Sequence, residues 1–475
     1  MGDYEDFIAR KSAAAASVGF DVRPEDLHPA MFPHQRDVTR WALKRGRAAL
    51  FLDTGLGKSF CQLVWADHVQ RHTARPVIIL APLAVAEQTV GEANQWAIDG
   101  VTISRGGAPA SRIVVANYEM LHAFSAADFG AVVLDESSIL KNYNGATRKA
   151  ITEAFGRTPY RLCCTATPSP NDYTELGTHS EFLGIKPQKE ILAEFFVHDG
   201  ANRATNMKEL EANRAGLRSQ GDWRLKGHAE QAFWQWVTTW GALVRKPSDL
   251  GYDDAGYALP PLRMREHVIQ TEAEDGALFA APAITLQEQK KTRRATMSGR
   301  VELAAKLARE ADGQCIVWCE LNPEGDAVTA EIPGALQVAG SDTSEVKSAR
   351  MLAFAAGTQR VLVSKPSICG FGMNFQRCHT MVFIGASHSF EQTYQAIRRC
   401  WRFGQTSPVD VHIIRAETEC AIVENFKRKE RDVERMGTEM GKRMRETMAM
   451  AVGSAGREWK DYDGKQTMKL PGWLA

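Results

Sequence analysis

Two short runs far apart in the chain carry residue types that handle phosphate. Leu50–Ser59 reads LFLDTGLGKS, an apolar stretch that enters a glycine-rich turn and ends in Lys-Ser. Such a turn, placed between a strand and a helix, aims main-chain N–H groups at phosphate oxygens. Thr54, Gly55, Leu56, Gly57, Lys58, Ser59 and Phe60 then form the phosphate-side contacts. Lys58 reaches the outer phosphates, and the Ser59 hydroxyl is a ligand for Mg²⁺. Leu52 stands at the first glycine position of the strict G-x-x-x-x-G-K-S/T pattern, so the loop alone is only moderately specific. The second run, Gln395–Gln405 (QAIRRCWRFGQ), sets Arg399 and Arg402 three residues apart, on one side of a helix. Arginines aimed at a transferring phosphoryl group stabilise its transition state.

A third run joins these two. AVVLDESSI puts Asp135 and Glu136 at the end of an apolar strand. There Asp135 can hold a hydrated Mg²⁺ and Glu136 can polarise the attacking water. Adjacent carboxylates after a strand also serve as ordinary helix caps. The glycine loop upstream favours the catalytic reading. ATP and Mg²⁺ are therefore the expected ligands, with Lys58, Asp135, Glu136, Arg399 and Arg402 as the catalytic set.

The elements that must position these residues are legible as alternation. RAALFLD, PVIIL, RIVVAN, AVVLDE and YRLCCT read as buried parallel strands, and CIVWCE, ALQVA, RVLVS, TMVFIG and VDVHII repeat the pattern after residue 299. The fold class expected is α/β: two tandem RecA-like lobes, helices on both faces of each sheet, with a helical insertion between them and a C-terminal helix. The boundaries read as a lead-in at 1–28, lobe one at 29–183, insertion and linker at 184–262, lobe two at 263–417, and a C-terminal helix and tail at 418–475. In the insertion, Trp223, Phe233, Trp234, Trp236 and Trp240 fit a small core better than a base-stacking platform. Met436, Met440, Met444 and Met448 recur every four residues on one helix face, expected to pack on lobe two.

Composition narrows the class further. Length predicts two to four domains. Lys plus Arg total 58 against 57 for Asp plus Glu, so any nucleic-acid surface must come from clustering rather than net charge. The nine cysteines include no C-x-x-C pair, and no apolar run reaches about 18 residues. A soluble protein of a reducing compartment, with no membrane association, is expected.

At this point the chain resembles the superfamily-two helicases of the Swi/Snf-like (DEAD/DEAH-box-like) branch, close to the compact versions of phages and prophages. FPHQ, LFLDTGLGKS, LDESS, TATPSPND, SKPSICGFGMNFQ and QAIRRCWRFGQ follow one another in the family's order. The resemblance implies that Gln35 reads the adenine edge and that Thr165, Thr167 and Gln395 couple hydrolysis to lobe movement. It sets Gly370, Gly372 and Asn374 near the interlobe cleft, with Gly372 among the nucleotide contacts. A phosphodiester backbone would cross Pro82, Leu83, Asn117, Tyr118, Lys365 and Asn374. Ser59, Ser138 and Cys369 depart from the usual threonine, histidine and glycine.

What the resemblance implies is a DNA-dependent ATPase, a translocase or helicase that moves along duplex DNA and remodels branched or protein-bound structures in replication or recombination. Partners would be sequence-independent duplex or branched DNA and replication or recombination proteins, with the chain itself a monomer. A non-hydrolysing ATP-gated clamp and a small-molecule P-loop kinase are the competing classes. Lys290, Lys291, Arg293, Arg294 and Arg300 form a basic cluster that fits a phosphate contact or a solvated helix equally well. Lys427, Arg428 and Lys429 read as a solvent face.

Overall fold

The computed structural model describes residues 17–141, 145–169, 172–198, 223–270, 295–369, 374–385, 390–417, 431, 435–441 and 443–444. Apolar, largely β-branched runs form two separate parallel sheets, each buried on both faces as that composition requires. The first contains β1 (Arg47–Leu52), β2 (Val77–Ala81), β3 (Val101–Ile103), β4 (Ile113–Asn117), β5 (Ala131–Asp135) and β6 (Tyr160–Cys164). An antiparallel hairpin, β7 (Phe196–His198) with β8 (Trp223–Leu225), stands apart, and β9 (Gly241–Val244) returns to the first sheet. Its strand order is β3-β4-β2-β5-β6-β1-β9.

The second sheet contains β10 (Leu262–Ile269), β11 (Cys315–Trp318), β12 (Leu336–Val338), β13 (Val361–Ser364), β14 (Thr380–Ile384) and β15 (Val409–Ala416), in the order β10-β15-β14-β11-β13-β12. All ten strands anticipated from apolar runs are present. Side chains alternate between two cores in each lobe: Ala48, Leu50 and Leu52 enter one, while Ala49 and Phe51 enter the other. The eight described cysteines are buried and free of disulfides.

Besides the β7–β8 pair, three strands of the two parallel sheets were not anticipated, and one of them moves a boundary. β9 pairs with β1 from Ala49↔Gly241 to Leu52↔Val244, so lobe one's sheet draws its edge strand from the segment assigned to the insertion. GALV is too short for its period to separate strand from helix after an aromatic helical run. β3 is only three residues long, and β10 is mostly exposed on a sheet edge, so neither carries an apolar pattern.

The tryptophans of this segment are core. Phe233, Trp234, Trp236 and Trp240 are buried, and Trp236 stacks on Phe195 at 5.6 Å and meets Trp240 edge-on at 5.4 Å. Trp236→Ala should therefore cost about 3–5 kcal/mol of stability, the range for large aromatic truncations. Urea unfolding followed by circular dichroism measures it.

The methionine helix packs elsewhere than expected. Residues 435–441 are helical. Met436 and Met440 enter lobe one's aromatic core, while Met444 enters the core on the other face of the same sheet. Arg435 pairs with Glu230 at 2.7 Å. The C-terminal segment thus straddles the β9 edge of lobe one instead of packing on lobe two. The methionine spacing defines an apolar face but carries no information about which surface receives it. Met448 and Lys427 to Lys429 lie outside the described residues, as do Lys290, Lys291, Arg293 and Arg294. Arg300 is fully buried and paired with Glu324 at 3.4 Å, so it is not available to a phosphate backbone.

Candidate active site

Parallel strands deliver their carboxyl ends to one edge, where ligand crevices form in α/β sheets. Leu50 and Asp135 both sit level with Cys164, so β6 holds the exits of β1 and β5 on either side of its own. The glycine turn leaves β1 and the helix Lys58–Thr73 starts at Lys58. Gly55 and Gly57 have φ of +94° and +80°, values that side chains rarely adopt. Both are also close-packed. A Cβ on Gly57 would lie 2.2 Å from the Gln35 amide nitrogen, and one on Gly55 would lie 2.7 Å from Phe403 Cβ in lobe two.

Lys58 Nζ lies 3.3 Å from Glu136 Oε1, both side chains being mostly buried. Thr165 Oγ1 donates to Glu136 Oε2 at 3.3 Å, and Thr167 N–H donates to Thr165 Oγ1 at 3.1 Å. Glu136 has φ of +54°. Left-handed backbone in a long side-chain residue is strain of the kind that collects at functional sites. Burial pushes the Asp135 carboxyl up to about 6, against the pull of the Lys58 charge.

Lobe two supplies the opposite wall through the helix Phe390–Cys400 and the turn after it. Gln395 Nε2 donates to Thr167 Oγ1 at 3.2 Å across the cleft, and Arg399 donates to Gln395 Oε1 at 2.8 Å. A hydrogen-bonded chain therefore runs from Lys58 through Glu136, Thr165, Thr167 and Gln395 to Arg399. Arg402 Nε is buried with no hydrogen-bond partner. Burial, and Arg399 beside it, push the Arg402 guanidinium down to about 10.

These groups line one cavity of about 290 Å³. Thr54, Gly55, Gly57, Lys58, Ser59, Phe60, Asp135 and Glu136 come from lobe one, and Arg399 and Arg402 from lobe two. A half-buried guanidinium with an unpartnered Nε, in one cavity with a lysine and a helix N-terminus, is the complement of a polyanion. The oxygen donors Ser59 and Asp135 suit a hard cation such as Mg²⁺. Among the described residues no cluster of three His, Cys, Asp or Glu could hold a metal alone. Mg²⁺ would therefore complete its shell from phosphate and water.

Gln35 lines the cavity with its amide already bridging two segments: Oε1 accepts from Phe32 N–H at 3.0 Å and Nε2 donates to the Leu56 carbonyl at 3.0 Å. One amide hydrogen and one oxygen lone pair are left for a base. Leu56 is buried, and Phe60 stacks on Trp96 at 4.3 Å. Gly370 and Gly372 lie outside the described residues.

Of the nucleic-acid candidates, Pro82, Asn117 and Lys365 are half-buried at or just past the carboxyl ends of β2, β4 and β13, and Asn374 is exposed. Leu83 opens the helix Leu83–Gln95. Tyr118 does not present its ring to solvent: it is buried, and its hydroxyl donates to the Asp135 carbonyl at 2.7 Å. Only its main chain is at the strand exit, so a nucleic-acid role for its side chain is withdrawn.

Several site residues escaped the sequence reading. Val85, Gln88, Glu92 and Gln95 line the cavity from one helix face, and their three- and four-residue spacing was a usable signal. Tyr257, packed on lobe one, meets Phe403 of lobe two with rings 4.7 Å apart at the cavity wall, and neither left such a signal.

Sequence-family models agree with this layout. The SNF2-related domain matches residues 34–214 and the helicase conserved C-terminal domain matches 299–404. A two-lobed helicase-type architecture is thereby defined, and the chain belongs to the Swi/Snf-like branch of the superfamily-two helicases. It is 25% identical over 193 residues to the SWI/SNF-related matrix-associated actin-dependent regulator of chromatin subfamily A-like protein 1 of Xenopus tropicalis, covering 38% of this chain and 19% of that one. It is 26% identical over 187 residues to the mouse (Mus musculus) DNA annealing helicase and endonuclease ZRANB3, covering 36% and 17%. The chain thus spans under a fifth of the curated relatives it matches. The solved Sulfolobus solfataricus SWI2/SNF2 ATPase core in complex with dsDNA overlays at a TM-score of 0.38 and 15% identity, covering 83% of this chain and 90% of that one. No described helix is long and apolar enough to cross a membrane.

Proposed function

We propose that the protein is a DNA-dependent ATPase that hydrolyses ATP between its two lobes and uses the cycle to move along duplex DNA. The observation that carries this reading is the single cavity with Lys58, Asp135 and Glu136 on one wall and Arg399 and the unpartnered Arg402 on the other.

Lys58 and the loop amides bind the phosphates, with Lys58 leaving Glu136 to do so. Ser59 and Asp135 would hold Mg²⁺, which would supply charge neutralisation at the phosphates. Glu136, freed from Lys58, takes a proton from the attacking water. Arg399 and Arg402 stabilise the charge that develops on the transferred group. The Thr165–Thr167–Gln395 chain then links the state of Glu136 to the position of lobe two. Strand exits such as Pro82, Asn117 and Lys365 would contact the phosphodiester backbone, which positions without reading sequence. The finer role we assign is remodelling of branched or protein-bound DNA in replication or recombination.

Phosphate release measured while titrating duplex, single-stranded, forked and four-way DNA, with RNA as control, tests the reading. Duplex or branched DNA should raise the rate severalfold or more. ATP and DNA binding without phosphate release would instead identify an ATP-gated clamp.

A further inference from the structure

Arg398 stands directly before Arg399 and receives no role from the motif chemistry read in the sequence. In the structure it is 4% exposed and forms an ion pair across the cleft with Asp53, the first residue of the phosphate loop after β1. We propose that Arg398 is a positioning residue, whose pair with Asp53 sets the register of Arg399 and Arg402 over the phosphate loop. The inference rests on the ATPase reading above and adds a residue that the motif chemistry does not require.

Asp53 is unusually well placed for this. Its N–H donates to the Val244 carbonyl at 2.9 Å, and its own carbonyl accepts from Leu56 N–H at 3.2 Å, so edge strand and loop hold its main chain. Its carboxylate accepts the Thr54 N–H at 2.7 Å and the Tyr394 hydroxyl at 3.3 Å besides the guanidinium. One carboxylate thus shapes the loop that would cradle phosphate and grips the helix that carries the arginines.

Arg398 is fixed equally firmly. Its guanidinium lies 4.9 Å from the Trp401 ring and 5.6 Å from the Tyr394 ring. Arg399 follows it directly, and Arg402 lies two residues beyond the helix end. Two further bonds bridge the cleft, Gln395 to Thr167 and Lys141 to Glu391. Neither touches the phosphate loop, so at the loop the hydrogen-bonded grip is that of Asp53 on Arg398 and on the Tyr394 hydroxyl, with Arg398 its charged half. Burying an ion pair costs desolvation that its attraction roughly offsets. Such a pair adds little stability but penalises every arrangement that separates the charges, which is what fixes a register.

The test uses the full chain with R398A, R398K, D53N and the D53N/R398A double variant, in steady state with saturating duplex. D53N keeps an acceptor for the Thr54 N–H. R398A should lower kcat about a hundredfold, the scale of an ångström-sized misplacement, with KM for ATP little changed. R398K should recover part of kcat, and the double variant should be no slower than R398A. An arm that needs no hydrolysis uses energy transfer between dyes on E119C and E302C, both exposed sites on different lobes. Without nucleotide, R398A should broaden the distance distribution. Unchanged kcat with an unchanged distribution overturns the inference, as does an additive double variant. A wild type whose phosphate release ignores DNA overturns the ATPase reading instead, leaving the energy-transfer arm to decide on Arg398.

Discussion

Arg402→Ala is expected to bind ATP with near-normal affinity and to hydrolyse it about 10³–10⁵-fold more slowly, the range for loss of an arginine finger. That corresponds to about 4–7 kcal/mol of transition-state stabilisation. The size follows from the site. Arg402 lines the cavity half-buried, with its Nε buried and without a hydrogen-bond partner, so part of its desolvation precedes nucleotide binding and less energy goes to reorganisation. Lys58 and the loop amides sit on the opposite wall and retain ground-state affinity. Single-turnover phosphate release, with binding measured by a fluorescent nucleotide, separates the two effects. Near-wild-type turnover would mean that the cleft does not close on a shared triphosphate.

Glu136→Gln is the second large effect. Gln is nearly isosteric, and its amide oxygen can still accept from Lys58 Nζ or Thr165 Oγ1, the two donors that hold Glu136 here. The basicity and the negative charge facing Lys58 are lost, and removing a positioned general base costs about 10²–10⁴-fold in turnover. Glu136 also pairs with Lys58 at 3.3 Å, the same ammonium that would reach the phosphates. The variant should therefore bind ATP at least as tightly as wild type and accumulate as an ATP-bound complex on DNA. Equilibrium binding and filter retention of duplex check both halves. Weaker ATP binding would show that the Lys58–Glu136 pair organises the loop rather than competing with the nucleotide.

What each of these predictions needed from the sequence differs. Lys58, Asp135 and Glu136 could be assigned because an apolar strand followed by a fixed local pattern places its exit residues at a sheet's carboxyl edge. Thr167 and Gln395 came from motif order, and their meeting at 3.2 Å is a distance no local pattern encodes. Arg398 shows the limit most clearly. Next to Arg399 it carries no local signal of a role, and its burial against Asp53 joins segments 345 positions apart. Tyr118 erred the other way. It follows a strand as a contact residue should, yet its ring completes the core beside β5.

By itself the sequence determined ten of the parallel strands and picked out the residue types proposed for both half-sites, because those follow from short-range periodicity and residue type. The tertiary structure alone decided that β9 closes the edge of lobe one, that the methionine helix caps that edge, and that Asp53 holds Arg398. The physical reason is common to all three. An apolar helix face, a four-residue strand and a charged side chain each satisfy themselves equally well against many surfaces. Only the packing of segments hundreds of residues apart selects the one they meet.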